Sequence, residues 1–282
     1  MPAFLLFIVQ QLYLCDMQRS FTDQLNRTVT LRYPPKRIIS LEPSQTELLC
    51  DLGIESQIVG VTMSCVHPIE KFAERTKVGG KGKLNIDIIK GLEPDLIIGN
   101  REGISEANLE LLSAEFPVWM SDVSTLEEAI DGITQIGTLV DRQPEAAYLN
   151  YLINAGFSDL QTLALQMGIN KTVAYLIRKT PYRAAGTGTF THDLLVKNGL
   201  TNVIREDGYP GIDLDALITL KPDLILLSSE PYAFEDGDVQ DLKKAIPEAK
   251  VMIVDGEMFS WYGSRLVKAV QYLFELQKEL VF

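Results

Sequence analysis

Short apolar runs alternate with capped amphipathic stretches along most of the chain. Residues 37–41 (RIISL), 58–61 (IVGV), 95–99 (DLIIG) and 117–121 (PVWMS) have the length and branched side chains of buried strands. Between them, Pro43-Ser44 followed by Glu47 reads as a capping box opening the helix TELLCDLG (46–53), which Gly53 ends. Ser124 with Glu127 reads as the cap of another helix, reaching Val140. This alternation is a βαβ pattern and predicts a mostly parallel sheet. Ahead of it, FTDQLNRTVTL (21–31) reads as a hairpin. Phe21 and Leu25 mark one arm, Thr28, Val29 and Leu31 the other, and Asn26 the turn, before Pro34-Pro35 punctuates the chain.

Residues 144–166 break the alternation. Pro144 suits a first helical turn, and Leu149, Leu152, Ile153, Leu160 and Leu163 recur at helical spacing. A continuous helix there is about 35 Å long at 1.5 Å per residue. Strand-like runs then resume at 172–177 (TVAYLI), 223–228 (DLILLS) and 251–255 (VMIVD). The two halves also echo each other. NIDIIKGLEPDLI (85–97) matches DLDALITLKPDLI (213–225) at an offset of 128, with Asp87/Asp215, Leu92/Leu220, Pro94/Pro222, Asp95/Asp223, Leu96/Leu224 and Ile97/Ile225 identical. A weaker echo joins TELLCDLG to THDLLVKNG (191–199). The expected organisation is an N-terminal segment and hairpin (1–35), one α/β lobe (36–143), a bridging helix (144–168) and a second α/β lobe (169–282).

Composition narrows the function. Of 282 residues, 38 are acidic and 26 basic, a net charge of -12, which lacks the positive excess of a general nucleic-acid binder and favours cationic partners. Three cysteines and two histidines exclude a disulfide framework, a four-thiolate site or a multi-imidazole metal centre. Residues 2–14 (PAFLLFIVQQLYL) are apolar, but no basic residue precedes them, Gln10 and Gln11 interrupt them, and no small-residue cleavage site follows. An export signal, a lipidated Cys15 and a start at Met17 all stand as readings of this segment.

Several loops invite chemistry. GTGTF (186–190) and GGKGK (79–83) lack the spacing of phosphate loops, and no G-x-S-x-G nucleophile motif occurs. Cys65 and His67 follow the IVGV strand, where parallel sheets bind ligands. They read either as metal or chelate ligands, or as a buried thiol and a loop hydrogen-bonder. Phe259, Trp261, Tyr262 and Arg265 follow the VMIVD strand, and Glu230, Tyr232 and Phe234 follow DLILLS. Flat rings at strand ends suit a large planar ligand, and Arg265 suits a ligand carboxylate or phosphate; packing between helix and sheet is the alternative. Asp87 and Asp215 each stand two residues after an N-cap candidate, Asn85 and Asp213.

Taken together, RIISLEPSQTELLCDLG, VGVTMSCVHP, KVGGKGKLNID, LEPDLIIGN, KPDLILLSSEPY and GEMFSWYGSR resemble the helical-backbone solute-binding proteins of ABC importers, of the cobalamin- and iron-siderophore-binding kinds. The resemblance spans roughly residues 21–280. It implies a class III periplasmic-binding-protein fold, two α/β lobes joined by one long helix, and a non-enzymatic, monomeric protein, periplasmic or membrane-anchored, without nucleic-acid partners. It implies a cargo of cobalamin or another metal chelate, iron-siderophore and haem included, and no resident cofactor. Ligand loops would comprise Pro43, Ser44, Gln45, Cys65, His67, Asn100, Arg101 and Glu102 on one lobe. On the other they would comprise Thr189, Phe190, Glu230, Tyr232, Phe234, Phe259, Trp261, Tyr262 and Arg265. Asp87 and Asp215 fall where the family docks through one carboxylate per lobe, usually glutamate, onto cationic surface of a two-fold permease. The alternative expectation is an intracellular chelate-handling protein or a chelatase-like enzyme on the same fold.

Overall fold

The computed structural model describes residues 17–80 and 83–281; the apolar N-terminal run, Cys15 and part of GGKGK lie outside the described residues. Packing divides the chain into two compact units. Unit 1 holds the residues through Asp122 together with Gln135–Gln143, and unit 2 holds Val123–Thr134 and everything from Pro144 onward.

Unit 1 opens with the antiparallel hairpin of β1 (Met17–Thr22) and β2 (Thr28–Tyr33), in which Phe21 pairs with Val29. Asn26 takes the turn with φ 60°. The buried Asp23 carboxylate accepts from the backbone N–H groups of Leu25 and Arg27 and from the Arg27 guanidinium, which also donates to Val118 O at 2.9 Å. The main sheet follows: β3 (Ile38–Ser40), β4 (Ile58–Val61), β5 (Thr76–Lys77), β8 (Leu96–Asn100) and β9 (Val118–Ser121), in the order β5-β4-β3-β8-β9 and parallel throughout. A short hairpin, β6 (Gly79–Gly80) with β7 (Lys83–Leu84), lies beside it in sequence. Strands covered on both faces read as continuous apolar runs, so their length and branched side chains mark them rather than a period of two. Ile39, Ile97, Val118 and Met120 from the sheet pack with Val78, Ile89 and Leu112.

Unit 2 holds β10 (Thr172–Arg178), β11 (Tyr182–Ala184), β12 (Thr201–Asn202), β13 (Gly211–Ile212), β14 (Leu224–Ser228) and β15 (Lys250–Val254). Their order is β13-β11-β10-β14-β15 with β12 against β10; the pairs β10–β12, β10–β14 and β14–β15 are parallel, and β11 runs antiparallel to its neighbours. Ala174, Leu176, Ile225, Leu227 and Val251 form its core with Leu217 and Leu242.

The long helix spans Gln143–Gln166 and buries Ala146, Asn150, Ile153, Phe157, Leu160 and Ala164. It packs as part of unit 2 rather than standing as a separate segment. A Cβ at Gly156 would meet Val270 of the C-terminal helix (Leu266–Val281) at 2.7 Å, so glycine sets how closely these helices cross. Gln277 Nε2 donates to Leu160 O at 3.1 Å across the same contact.

Both capping boxes shift from the predicted residues. The helix Pro43–Asp51 is capped by Glu42, whose carboxylate accepts from Gln45 N and the Ser44 hydroxyl at 2.8 and 2.6 Å. The helix Leu126–Leu139 starts with Glu128 accepting from Ser124 N and Thr125 N, while Thr125 Oγ1 accepts from Glu128 N. Its first turn is further held in unit 2, where Asp193 accepts from Leu126 N at 2.8 Å and Lys197 pairs with Glu127 at 2.6 Å.

The echo is structural. Asn85 caps the helix Ile86–Gly91 by accepting from Ile88 N, and Asp213 caps Leu214–Leu220 by accepting from Ala216 N. Glu93 and Lys221, again 128 apart, both leave these helices with positive φ, 45° and 47°. Asp95 then accepts from the backbone of Lys36 and Arg37 at 2.7 and 2.8 Å; Asp223 accepts from Thr172 N and Oγ1 at 2.7 and 2.8 Å. Each carboxylate ties the strand it precedes to the neighbouring strand's start.

Candidate functional site

In each unit the loops of interest follow the carboxyl ends of parallel strands, where an open α/β sheet offers free backbone groups and helix starts. The two units fill them with different chemistry.

In unit 1, β3 leads through Glu42 into the helix Pro43–Asp51. Ser44 and Gln45 are buried there: Ser44 serves the Glu42 cap, and Gln45 Nε2 donates to Ser121 Oγ at 2.6 Å. Pro43 stays half-buried at the helix start. Cys65 is also buried. Its sulfur lies 3.1 Å from Thr46 Oγ1 and 3.2 Å from Thr62 Oγ1, and burial pushes the thiol pKa up. Cys65 thus sits packed and hydrogen-bonded among hydroxyls at the base of the loop. His67 stays half-buried in the loop beyond. Among the described residues no group of three or more His, Cys, Asp or Glu is placed to hold a metal ion. After β8, Asn100 Oδ1 accepts from Gly103 N at 2.8 Å, Arg101 pairs with Asp122 at 2.8 Å, and Glu102 is exposed.

Unit 2 is aromatic. Thr189 caps the helix Phe190–Lys197, its hydroxyl accepting from His192 N and donating to Gly186 O at 2.8 Å, so this candidate is buried as a cap. His192 Nδ1 lies 3.1 Å from Asn202 Nδ2, and burial lowers the imidazole pKa. Gly188 holds φ 70°, and Asp207 Oδ1 would stand 2.2 Å from a Cβ there, so the GTGT turn closes against the turn of Arg205, Glu206 and Asp207. Phe190 meets Tyr262 edge to face at 5.8 Å.

Three expected ligand contacts in this unit are packing residues. Phe259 is fully buried, its ring 5.0 Å from Tyr175 and 6.3 Å from Tyr272, with no face left for a ligand. Phe234 is buried in the unit 2 core, edge to face with the half-buried Tyr232 at 4.9 Å. Arg265 pairs with Glu257 and stacks 4.5 Å over the Trp261 ring, so its charge is already answered within the chain. Trp261 Nε1 in turn donates to Glu230 Oε1 at 3.0 Å, and Ser260 Oγ donates to the same oxygen at 2.9 Å. Glu230, Tyr232 and Tyr262 remain half-buried at the strand ends.

Glu42 and Glu257, outside the candidate residues, anchor these loops: Glu42 caps the helix that follows it, and Glu257 pairs with Arg265 eight residues on. The offset of 128 continues past the strands, so Glu102 and Glu230 are equivalent, each the second residue after its strand. Asp87 and Asp215 are both exposed in the first turns of their helices, and among the described residues neither carboxylate has a hydrogen bond or ion pair.

The chain is 26% identical over 263 residues to an uncharacterized ABC transporter substrate-binding lipoprotein of Bacillus subtilis (strain 168), covering 90% of this chain and 83% of that protein. It is 24% identical to a vitamin B12-binding protein of Pectobacterium carotovorum, over 85% of this chain and 87% of that one. Among solved structures it is similar to the periplasmic vitamin B12-binding protein of Vibrio cholerae, with TM-score 0.75, 22% identity and coverage of 88% and 98%. The periplasmic heme-binding protein of Roseiflexus sp. RS-1 gives TM-score 0.76, 20% identity and coverage of 88% and 99%. A family model described as periplasmic binding protein matches residues 38–252, which takes in both echoing segments and most of both sheets. On that match the chain belongs to the periplasmic binding protein family, a family of binding proteins rather than enzymes.

Proposed function

We propose that this protein is the solute-binding component of an ABC importer and that its cargo is a corrinoid or a related metal chelate. The observation that carries the reading is the family match over residues 38–252, joined to relatives of similar length whose names specify vitamin B12 binding and ABC transport. The residues fit the task. Half-buried Tyr232 and Tyr262 offer ring and hydroxyl at the strand ends of unit 2, and Asn100 with His67 offers polar contacts in unit 1. Such a cargo brings its own metal, in keeping with the small number of histidines and cysteines. Haem is the second candidate, since solved structures of similar fold carry that name. Delivery would use Asp87 and Asp215, two exposed carboxylates on matched helices that suit a two-fold permease with cationic docking surface. The working location is outside the cytoplasmic membrane.

Two measurements test this. Purified protein titrated with cyanocobalamin, ferric siderophore and haemin should bind at least one at micromolar concentration, followed by the chelate's absorbance and quenching of Trp261 fluorescence. No response to any of them sinks the proposal. The double substitution Asp87→Arg with Asp215→Arg should abolish uptake while leaving binding intact; uptake unchanged by it would remove these residues from docking.

A further inference from the structure

The loops that follow the strands carry arginines where a ligand carboxylate would need one, and the chain itself answers their charge. Arg101, after β8, pairs with Asp122 at 2.8 Å. Arg265, after β15, is buried, paired with Glu257 and stacked on Trp261. Arg205 is exposed in the turn joined to Thr187, but Glu206 and Asp207 follow it directly, so that turn is net negative.

The acids are not balanced in the same way. Glu102 is exposed, with no hydrogen bond or ion pair among the described residues. Its equivalent Glu230 accepts from Trp261 Nε1 and Ser260 Oγ, both neutral donors. Each sheet therefore presents one carboxylate at the same place, the second residue after its β8 or β14 strand, while Arg101 and Arg265 of the strand-end loops are already paired.

A ligand carboxylate brought against such loops meets like charge and loses its hydration without gaining a counter-ion. Like-charge juxtaposition of this kind opposes binding. Amide, hydroxyl and ammonium groups do the opposite, since each can donate to a carboxylate. Resting on the proposal that the cargo is a metal chelate, we infer that these loops select chelates whose rim is neutral or cationic and rich in hydrogen-bond donors, and discriminate against chelates rimmed by carboxylates.

The test is equilibrium binding of four coloured chelates to the purified full chain. Cyanocobalamin has an amide rim and ferrioxamine B carries an ammonium group; haemin and ferric dicitrate carry free carboxylates. At least one of the first pair should bind about tenfold or more tightly than either of the second, a difference of about 1.4 kcal/mol. Glu102→Gln, an exposed substitution, should narrow that gap about threefold. Haemin or ferric dicitrate binding as tightly as the best of the first pair overturns the inference while leaving the chelate-binding function standing. A gap that Glu102→Gln does not narrow also overturns it. Failure of all four to bind overturns the function itself, and the inference with it.

Discussion

The two units share a joint and differ in what they mount on it. In both, a capped helix, a residue of positive φ, an aspartate hook and a buried strand follow in the same order, at one constant offset. Beyond the strands the likeness stops, apart from Glu102 and Glu230. Unit 1 fills the space behind its loops with small hydroxyls, an amide and a thiol: Ser40, Ser44, Gln45, Thr46, Thr62 and Cys65 are all buried there. Unit 2 uses rings, with Tyr175, Phe259 and Trp261 buried and Tyr262 at the edge. A repeat keeps what sets the geometry of a strand and its helix, and leaves the chemistry at the strand ends free to diverge.

The sharpest way to break this contrast is to remove one aromatic from unit 2. Phe259→Ala deletes a ring with 0% exposure and should lower unfolding free energy by about 3–5 kcal/mol in urea titration. A loss near 1 kcal/mol would mean that the rings are not the core of that loop. Next in size comes the contrast between the two arginine pairs. Glu257→Ala strands a buried guanidinium and should destabilise by about 3 kcal/mol, whereas Asp122→Ala breaks an exposed pair and should stay within about 1 kcal/mol. Equal effects would remove the distinction between a structural and a surface pair.

The joint makes a matching prediction instead of a contrasting one. Asp95→Ala and Asp223→Ala each remove two hydrogen bonds to a charged acceptor and should each cost about 1–2 kcal/mol. Costs differing by more than about 1 kcal/mol would show that the shared geometry hides unequal work. Asp223 adds a pH signature. The Thr172 N–H, and then its hydroxyl, hold the Asp223 carboxyl below the usual range. Its stabilisation is therefore complete above the unfolded value near 3.9 and is lost as pH falls through the lower folded value. The deficit of Asp223→Asn should be full at neutral pH and should shrink below about pH 4, read from acid-unfolding curves. The smallest effects belong to the caps: Asn85→Ala and Asp213→Ala should each cost about 1 kcal/mol.

Much of this scaffold was legible in the sequence because it rests on local patterns. Doubly covered strands are apolar throughout, and Asn85 and Asp213 stand in register with their helices, so strands, caps and echo could be read directly. The two displaced capping boxes show the limit. Ser44 and Ser124 each have an acid three residues on, but Glu42 and Thr125 offer competing caps, and the path of the incoming strand decides between them. The strand-end loops were legible only as composition. Five aromatics and an arginine within 259–265 and 230–234 say that rings gather there; which ring faces inward depends on Tyr175 and Tyr272, distant in sequence. Arg265 misled for the same reason, since its partner Glu257 lies eight residues upstream across a turn.

The aspartate hooks work at the end of each sheet opposite the loops that follow the strands, and that placement has a practical meaning. They act as a datum, a fixed edge from which the height of every strand tip is measured. A residue inserted among 101–104 or 229–233 lengthens a loop and leaves that datum untouched. One inserted between Asp95 and Ile97, or between Asp223 and Ile225, separates the hook from its strand and turns each following strand residue to the opposite face. A lineage with such joints is free to rewrite its strand-end loops repeatedly while inheriting its strand register unchanged.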